Sequence, residues 1–114
     1  MEQVKFNYDK ENDDLFIYFP DKKSNGAVEI GNFVLDFDEN ENLVALQIID
    51  ASQVLSKLVS KILELTKIKD LNLNIVNFRN MITIKLNIIT DSEQETANII
   101  IPRIKQEESP ALSY

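Results

Sequence analysis

The feature that most constrains the fold of this chain is a change of hydrophobic period near Asp50. Before Asp50, apolar residues recur at every second position in short runs, which is typical of half-buried β-strands. After it they recur every three or four positions, the period of an amphipathic helix. Beyond Lys69 the alternation returns. The chain therefore predicts strands, then one helix, then more strands, which is an α+β fold.

The first half predicts five strands joined by short polar turns. The turns fall at DKENDD, at Pro20 with DKKSNG, at Gly31-Asn32 and at ENEN. Gly31-Asn32 has the spacing of a two-residue hairpin. We expect an antiparallel five-strand meander, with the continuously apolar run Leu15–Phe19 covered on both faces. The predicted strands are 4–8, 15–19, 27–30, 33–38 and 43–49.

The middle of the chain predicts one amphipathic helix at about residues 51–67. Asp50 or Ser52 is expected to cap it, with Gln53 at capping-box spacing from Asp50. Three further antiparallel strands follow, at 71–75, 82–88 and 96–101. We expect a single α+β domain over residues 1–104, because either half alone is near the lower size limit for stability. Residues 105–114 read as a polar C-terminal tail.

The composition excludes several kinds of chemistry. The 114 residues include no cysteine, no histidine and only two glycines. Thiolate nucleophiles, cysteine-based metal sites, Ser–His–Asp triads and glycine-rich phosphate loops are therefore absent. We expect a protein that is not an enzyme and has no cofactor. No apolar run approaches the roughly 20 residues of a membrane span, and no signal peptide is evident, so we expect a cytoplasmic location.

Charge is distributed unevenly along the chain. Residues 1–50 carry twelve acids against four bases, whereas residues 51–114 carry seven against eight, for a net charge of −7. Nucleic acid is disfavoured as a ligand, because binding to phosphates needs clustered lysine and arginine. A basic partner is expected to meet the acidic first half.

Two sequence blocks resemble the prokaryotic domain-of-unknown-function 2283 family. The first block is YDKENDDLFI from Tyr8, and the second comprises VLDFDE, LV and IIDAS, which ends at Ser52. The resemblance covers about residues 4–55 and leaves the helix continuation and strands at 56–104 outside it. Asn40 to Asn42 lacks the usual turn glycine, and Ala45 and Gln47 also depart from the pattern.

That resemblance has limited functional content. It implies a short antiparallel β-unit leading into a helix, without an established catalytic activity. Some members of the family resemble the partner-binding half of toxin–antitoxin pairs. The resemblance therefore implies an antitoxin-like, partner-binding role.

The polar residues suggest two candidate sites. Asp36, Asp38 and Asn40 alternate like the first ligands of a calcium loop, although Glu41 stands where such a loop needs glycine. A solvated turn explains the same pattern, since Asp and Asn bond to their own backbone in turns. Asp9–Asp14 forms a second acidic turn, whose carboxylates we expect to keep ordinary pKa values.

The sequence therefore supports three functional hypotheses. The first is a non-enzymatic protein–protein interaction module that uses its acidic first half. The alternatives are a divalent-cation or small-ligand binding protein, acting through the acidic turns, and a weak carboxylate-based hydrolase. The last strands, MITIKLNII and ANIII, are rich in isoleucine and poor in charge. Because exposed edges of that kind pair with other chains, we also expect a homodimer.

Overall fold

The computed structural model describes residues 2–61 and 63–102, so the predicted tail at 105–114 lies outside the described residues. These described residues form nine strands, one α-helix and a short 3-10 helix. The strands are β1 (Glu2–Gln3), β2 (Lys5–Asp9), β3 (Asp14–Tyr18), β4 (Gly26–Ile30), β5 (Phe33–Phe37), β6 (Leu43–Ile49), β7 (Asp70–Asn77), β8 (Met81–Ile89) and β9 (Gln94–Pro102). The helix α1 spans Ala51–Val59, and the 3-10 helix spans Leu65–Lys67. The predicted α+β class is confirmed.

Five strands form the first sheet, in the order β2-β3-β6-β5-β4, with every pair antiparallel. The predicted meander is wrong at one connection, because β3 pairs with β6 and not with β4. Pro20 ends the pairing of β3, and the loop that follows crosses to the far edge of the sheet. A bond from Phe19 N–H to Val44 O (3.0 Å) precedes the loop and continues the pairing of β3 with β6, and a bond from Asn25 N–H to Phe37 O (2.7 Å) joins the end of the loop to β5. The highly buried β6 thereby takes the central position, in a Greek-key order.

The second sheet has the order β1-β7-β8-β9 and is also antiparallel. Its edge strand β1 comes from the very start of the chain and pairs Glu2 with Leu73 and Gln3 with Asn72. Val4, which separates β1 from β2, is buried. The N-terminal segment therefore contributes to both sheets, which the sequence pattern did not predict.

The helix is shorter than predicted, since it ends at Val59 and not near residue 67. Ser60 adopts a left-handed conformation with φ 58°, and the N–H groups of Ser60 and Lys61 both donate to the carbonyl of Ser56. This arrangement closes the last turn in the manner of a Schellman motif. The apolar pattern of the sequence extends beyond Val59 because Leu63 and Leu65, which follow the helix, also pack against the core.

One hydrophobic core joins the two sheets and the helix. The first sheet contributes Leu15, Ile17 and Leu46, and the helix contributes Leu55, all with no exposed surface. The central strand β8 of the second sheet contributes four side chains to the same core, namely Ile82, Ile84, Leu86 and Ile88. Among the described residues, no helix is long and apolar enough to cross a membrane.

The expectation that β3 is covered on both faces is wrong. Leu15 and Ile17 are fully buried, but Phe16 between them is 39% exposed. Within residues 2–61 and 63–102 the core lies on one face of the first sheet, so alternate residues of β3 point away from it. The continuous apolar run therefore reflects a sheet with an aromatic outer face.

Candidate functional site

Two rows of side chains cross the outer face of the first sheet, the face directed away from the core. Strand register aligns each row across all five strands. From β2 to β4, the rows are Asn7, Phe16, Gln47, Val34 and Glu29, and Lys5, Tyr18, Ala45, Asp36 and Ala27. Because the strand period is two, these residues share one face, while alternate residues such as Leu15, Ile17 and Leu46 lie in the core.

An aromatic pair is the main apolar feature of this outer face. The rings of Phe16 and Tyr18 are stacked with centroids 5.3 Å apart and an interplanar angle of 24°. Both side chains come from β3, where residues two apart stand side by side. Stacking fixes the two rings while leaving Phe16 39% exposed. The pair offers a rigid apolar surface, and aromatic residues of this kind often anchor protein interfaces.

Acidic residues share the outer face with the aromatic pair. Asp36 and Glu29 stand in the two rows on β5 and β4, against a single base, Lys5. Asp14 lies at the start of β3, where the side-chain amide of Gln47 is 3.5 Å from its carboxylate. The outer face therefore combines an apolar anchor with net negative charge.

A second polar cluster joins the β2–β3 turn to the start of the helix. The carboxylate of Asp13 accepts hydrogen bonds from Ser52 N–H (3.0 Å), Ser52 Oγ (2.7 Å) and the hydroxyl of Tyr8 (2.5 Å). The backbone carbonyl of Asp13 also accepts from Ala51 N–H at 2.8 Å. Asp13 therefore caps the helix from another part of the chain.

This cap replaces the one that the sequence predicted. Asp50 is in a left-handed conformation with φ 56°, and its side chain makes no cap hydrogen bond. Ser52 is a donor to Asp13 and does not act as the cap. Sequence spacing missed the cap because Asp13 lies 39 residues from Ser52. One feature of the sequence did point to this contact: Tyr8 and Asp13 lie in the first family-like block, and Ser52 ends the second.

The cluster shifts the pKa values of its members in opposite directions. Burial and the hydrogen bond to Asp13 raise the pKa of Tyr8 to about 12. Burial opposes ionisation of Asp13, but the hydrogen bonds from Tyr8 and Ser52 outweigh it and hold the pKa of that carboxyl below its ordinary value. The expectation of ordinary carboxylates in this turn is therefore wrong for Asp13. A carboxylate stabilised in this way is a weaker proton acceptor than an ordinary one.

Asp9 organises the remainder of the same turn. Its carboxylate accepts from the side-chain amide of Asn12 (2.8 Å) and from the N–H groups of Asn12 (3.2 Å) and Glu11 (3.1 Å). These bonds, chiefly those from Asn12, lower the pKa of Asp9. Here too the expectation of an ordinary pKa is wrong, because the turn's own donors stabilise the charged form.

The predicted metal ligands lie in and beside the β5–β6 turn. Asp36 is on β5, opposite Ala27 and Ala45, and Asp38 and Asn40 follow the strand. The carboxylate of Asp38 accepts from the N–H groups of Asn40 and Asn42, both at 2.9 Å. The bond from Asn42 is the main cause of the lowered pKa of Asp38. The carboxylate of Asp38 therefore stabilises the turn through hydrogen bonds to its backbone. A metal-binding role for Asp36, Asp38 and Asn40 stays a prediction.

The two acidic turns do not converge. The turn after β2 adjoins Asp14 and Ile49, at the far end of β6, whereas the β5–β6 turn adjoins Leu43 at its start. Among the described residues, no group of three or more acidic side chains is arranged to hold a metal ion. A cation site that draws on both turns is therefore inconsistent with this register.

An open cleft of about 490 Å³ lies between the 3-10 helix and the β8–β9 turn. Its acidic side chains lie in ion pairs, two of them with the same lysine. Lys61 binds Glu93 and Glu95, and Lys67 lies 3.3 Å from Glu64. In the described ion pairs, four carboxylates at the cleft share three lysines, so the cleft carries one net negative charge in an exposed, solvent-screened setting.

Comparison with known proteins identifies the first half of the chain only. The family described as protein of unknown function (DUF2283) matches residues 5–52. This confirms the resemblance recognised in the two sequence blocks. The match contains the first sheet and the start of the helix. It thus includes both the aromatic outer face and the Asp13 cap.

Two curated archaeal proteins are similar over the same length of chain. An uncharacterised protein of Methanocaldococcus jannaschii is 38% identical over 52 residues, which is 46% of this chain and 45% of that protein. A Methanosarcina mazei protein that carries the provisional name of a hypoxanthine phosphoribosyltransferase is 37% identical over 49 residues, which is 43% of this chain and 40% of that protein. The chain thus spans less than half the length of either relative. No solved structure matches it.

Proposed function

We propose that this chain is a protein–protein interaction module that binds a basic partner through the outer face of the first sheet. The observation that supports this most strongly is the stacked pair Phe16 and Tyr18 on the outer face of the first sheet, where the described residues leave Phe16 39% exposed. Contiguous exposed apolar surface with a polar border is typical of interaction sites. The cytoplasmic location and the antitoxin-like role expected from the sequence belong to the same proposal.

The chemistry of the partner follows from the residues that share the outer face with the aromatic pair. Guanidinium groups stack on aromatic rings and bond to carboxylates with two parallel hydrogen bonds. The outer face offers the rings of Phe16 and Tyr18 together with the carboxylates of Asp36, Glu29 and Asp14. A partner segment that carries arginine beside an apolar side chain therefore fits this surface best.

The test uses a defined pair of peptides and a matched pair of variants. Isothermal titration calorimetry measures binding of a short peptide of alternating arginine and leucine, with its glutamate counterpart as the charge control. We expect only the arginine peptide to bind. Phe16→Ala should weaken its Kd by about tenfold or more, because anchor truncation at interfaces costs roughly 1–2 kcal/mol.

Phe78→Ala is the matched control for Phe16→Ala. Phe78 is an exposed phenylalanine (50% exposed) outside the first sheet, so its truncation should leave the Kd unchanged. Circular dichroism confirms that both variants remain folded. Equal binding of the two peptides, or an equal loss in the two variants, would contradict the proposal.

A further inference from the structure

The edge strands of the two sheets differ in how they are protected against pairing with another chain. β2 carries the charges of Lys5 and Asp9, and β4 is only five residues long. β9 has nine residues, no lysine or arginine, and a regular register with β8. Charge, shortness and irregularity are the usual protections of an edge, and β9 lacks all three along most of its length.

The turn before β9 determines which of its backbone groups face outward. Thr90 N–H donates to Glu93 O at 3.0 Å, which makes these two residues a hydrogen-bonded pair. Because such pairs alternate along an antiparallel ladder, the odd-numbered residues of β9 bond to β8, and the even-numbered ones face the side on which the described residues place no further strand. Pro102, which has no N–H, falls on the outward side, where the sheet needs no donor.

The same edge also carries exposed apolar surface. Ile100 is 64% exposed on the outer face of the second sheet. Register places it beside Thr83, which in turn lies beside Val76, itself 43% exposed. Glu95 is the one charged residue of β9, and Lys61 lies 3.1 Å from its carboxylate. A strand placed along β9 therefore meets backbone donors and apolar surface without opposing a free charge.

We infer that β9 pairs antiparallel with β9 of a second copy of this chain, centred on Asn98. In that register Asn98 faces Asn98 of the second copy, and Thr96 faces Ile100 in both directions. The outermost pair is Gln94 with Pro102, where proline supplies only its carbonyl as an acceptor. Every outward N–H of β9 then finds an acceptor, and the two four-stranded sheets join into one.

Neighbouring registers fit less well. A shift by two residues towards the start of β9 places Ile99 opposite Glu95 of the second copy and leaves Ile101 unpaired. A shift in the other direction places Gln94 beyond the end of the partner strand. In the register centred on Asn98, Glu95 faces the apolar Ile101 of the second copy, and no two like charges are opposed.

Because the chain contains no cysteine, single cysteine variants report this register directly. Asn98→Cys should form a disulfide-linked dimer rapidly under mild oxidation, since directly opposite Cα atoms are about 5.5 Å apart. Ile100→Cys is the matched control, on the same edge and the same face. Its two thiols would be offset by four residues, or roughly 13 Å, so it should cross-link far more slowly.

Multi-angle light scattering at micromolar concentration gives the oligomeric state of the unmodified chain, and we expect twice the monomer mass. Ile100→Lys should reduce it to the monomer mass because an edge lysine opposes pairing, whereas Val76→Lys, away from the edge, should not. A monomeric mass for the unmodified chain, or equal cross-linking rates for the two cysteine variants, overturns the inference. Neither result bears on peptide binding at Phe16, so the two proposals fail separately.

Discussion

The two sheets of this molecule contribute to one core but differ in what stabilises them and in what they expose. The first sheet has mostly five-residue strands, and its turns are built by the carboxylates of Asp9, Asp13 and Asp38. The second has a hairpin of long strands with a regular register. The outer face of the first exposes an aromatic ring stacked on a second, whereas that of the second exposes aliphatic side chains among asparagine and threonine, at Val76, Ile100, Asn74, Thr96 and Asn98.

This difference separates two kinds of interaction surface. A side-chain face, such as the one around Phe16, selects a partner by the shape and charge of its side chains. A strand edge, such as β9, binds through backbone groups that every chain has. The first sheet is therefore suited to a specific partner and the second to self-association. The family match covers only the former.

The largest expected effect tests whether the two sheets fold together. Leu86→Ala removes a fully buried side chain of β8 from the shared core. Such truncations typically cost about 2–5 kcal/mol in unfolding free energy. Urea unfolding can be followed by circular dichroism and by the amide signals of each sheet. In Leu86→Ala, the signals of both sheets should show one common transition, shifted to lower urea concentration. Two separate transitions would contradict a single domain over residues 1–104. Val76→Ala, on the exposed face, is the control.

The second prediction concerns the Asp13 cap, which ties the first sheet to the helix. Asp13→Ala should lower the unfolding free energy at pH 7 by about 1–2 kcal/mol, in the range of a lost helix cap. Because the folded pKa of Asp13 is lowered, its contribution is present above the unfolded value of about 3.9 and is lost as pH falls through the folded value.

Denaturant unfolding at several pH values checks this prediction. The difference in unfolding free energy between wild type and Asp13→Ala should decrease as the pH falls into the acid range. Asp50→Ala is the control, since the side chain of Asp50 makes no cap hydrogen bond. An equal loss of unfolding free energy in the two variants would contradict the assignment of Asp13 as the cap and favour the local cap at Asp50 that the sequence predicts.

A smaller effect is expected from Tyr8→Phe, which removes a single hydrogen bond to Asp13. The loss at pH 7 should be about 1 kcal/mol. The pKa of Tyr8 is raised to about 12, so the neutral hydroxyl stabilises the fold fully below its unfolded value of about 10. That stabilisation is lost as pH rises from about 10 to about 12. Ultraviolet titration should follow the Tyr8 phenol, and a pKa near 10 would contradict the account.

The sequence predicted the parts of the fold that depend on local pattern. Alternation located the strands of both sheets, and Gly31, at φ 58°, provides the predicted hairpin turn. Features that depend on distant contacts were missed or wrong. They include the pairing of β3 with β6 and the cap supplied by Asp13. The end of the helix at Val59 was missed because Ser60, a residue that seldom marks a helix end, takes the left-handed conformation usually reserved for glycine.

The candidate site was predictable only in outline. The acidic first half and its aromatic content were evident from the sequence, and Phe16 was assigned to the core because its neighbours are apolar. Which face of β3 is covered depends on where the second sheet packs, and the pattern of a single strand does not contain that information. In the structure, Leu15 and Ile17 are 0% exposed and Phe16 is 39% exposed, so the face of β3 that carries Leu15 and Ile17 is the covered one.

The most direct test of the central claim is to map the binding of the arginine–leucine peptide by amide chemical shifts. The account predicts that perturbations cluster on the two rows that cross the outer face of the first sheet, with Phe16, Tyr18 and Asp36 among the largest. The residues of β7 to β9 should be unaffected. Perturbations centred on the second sheet, or none at saturating peptide, would contradict the assignment of the first sheet as the partner-binding surface.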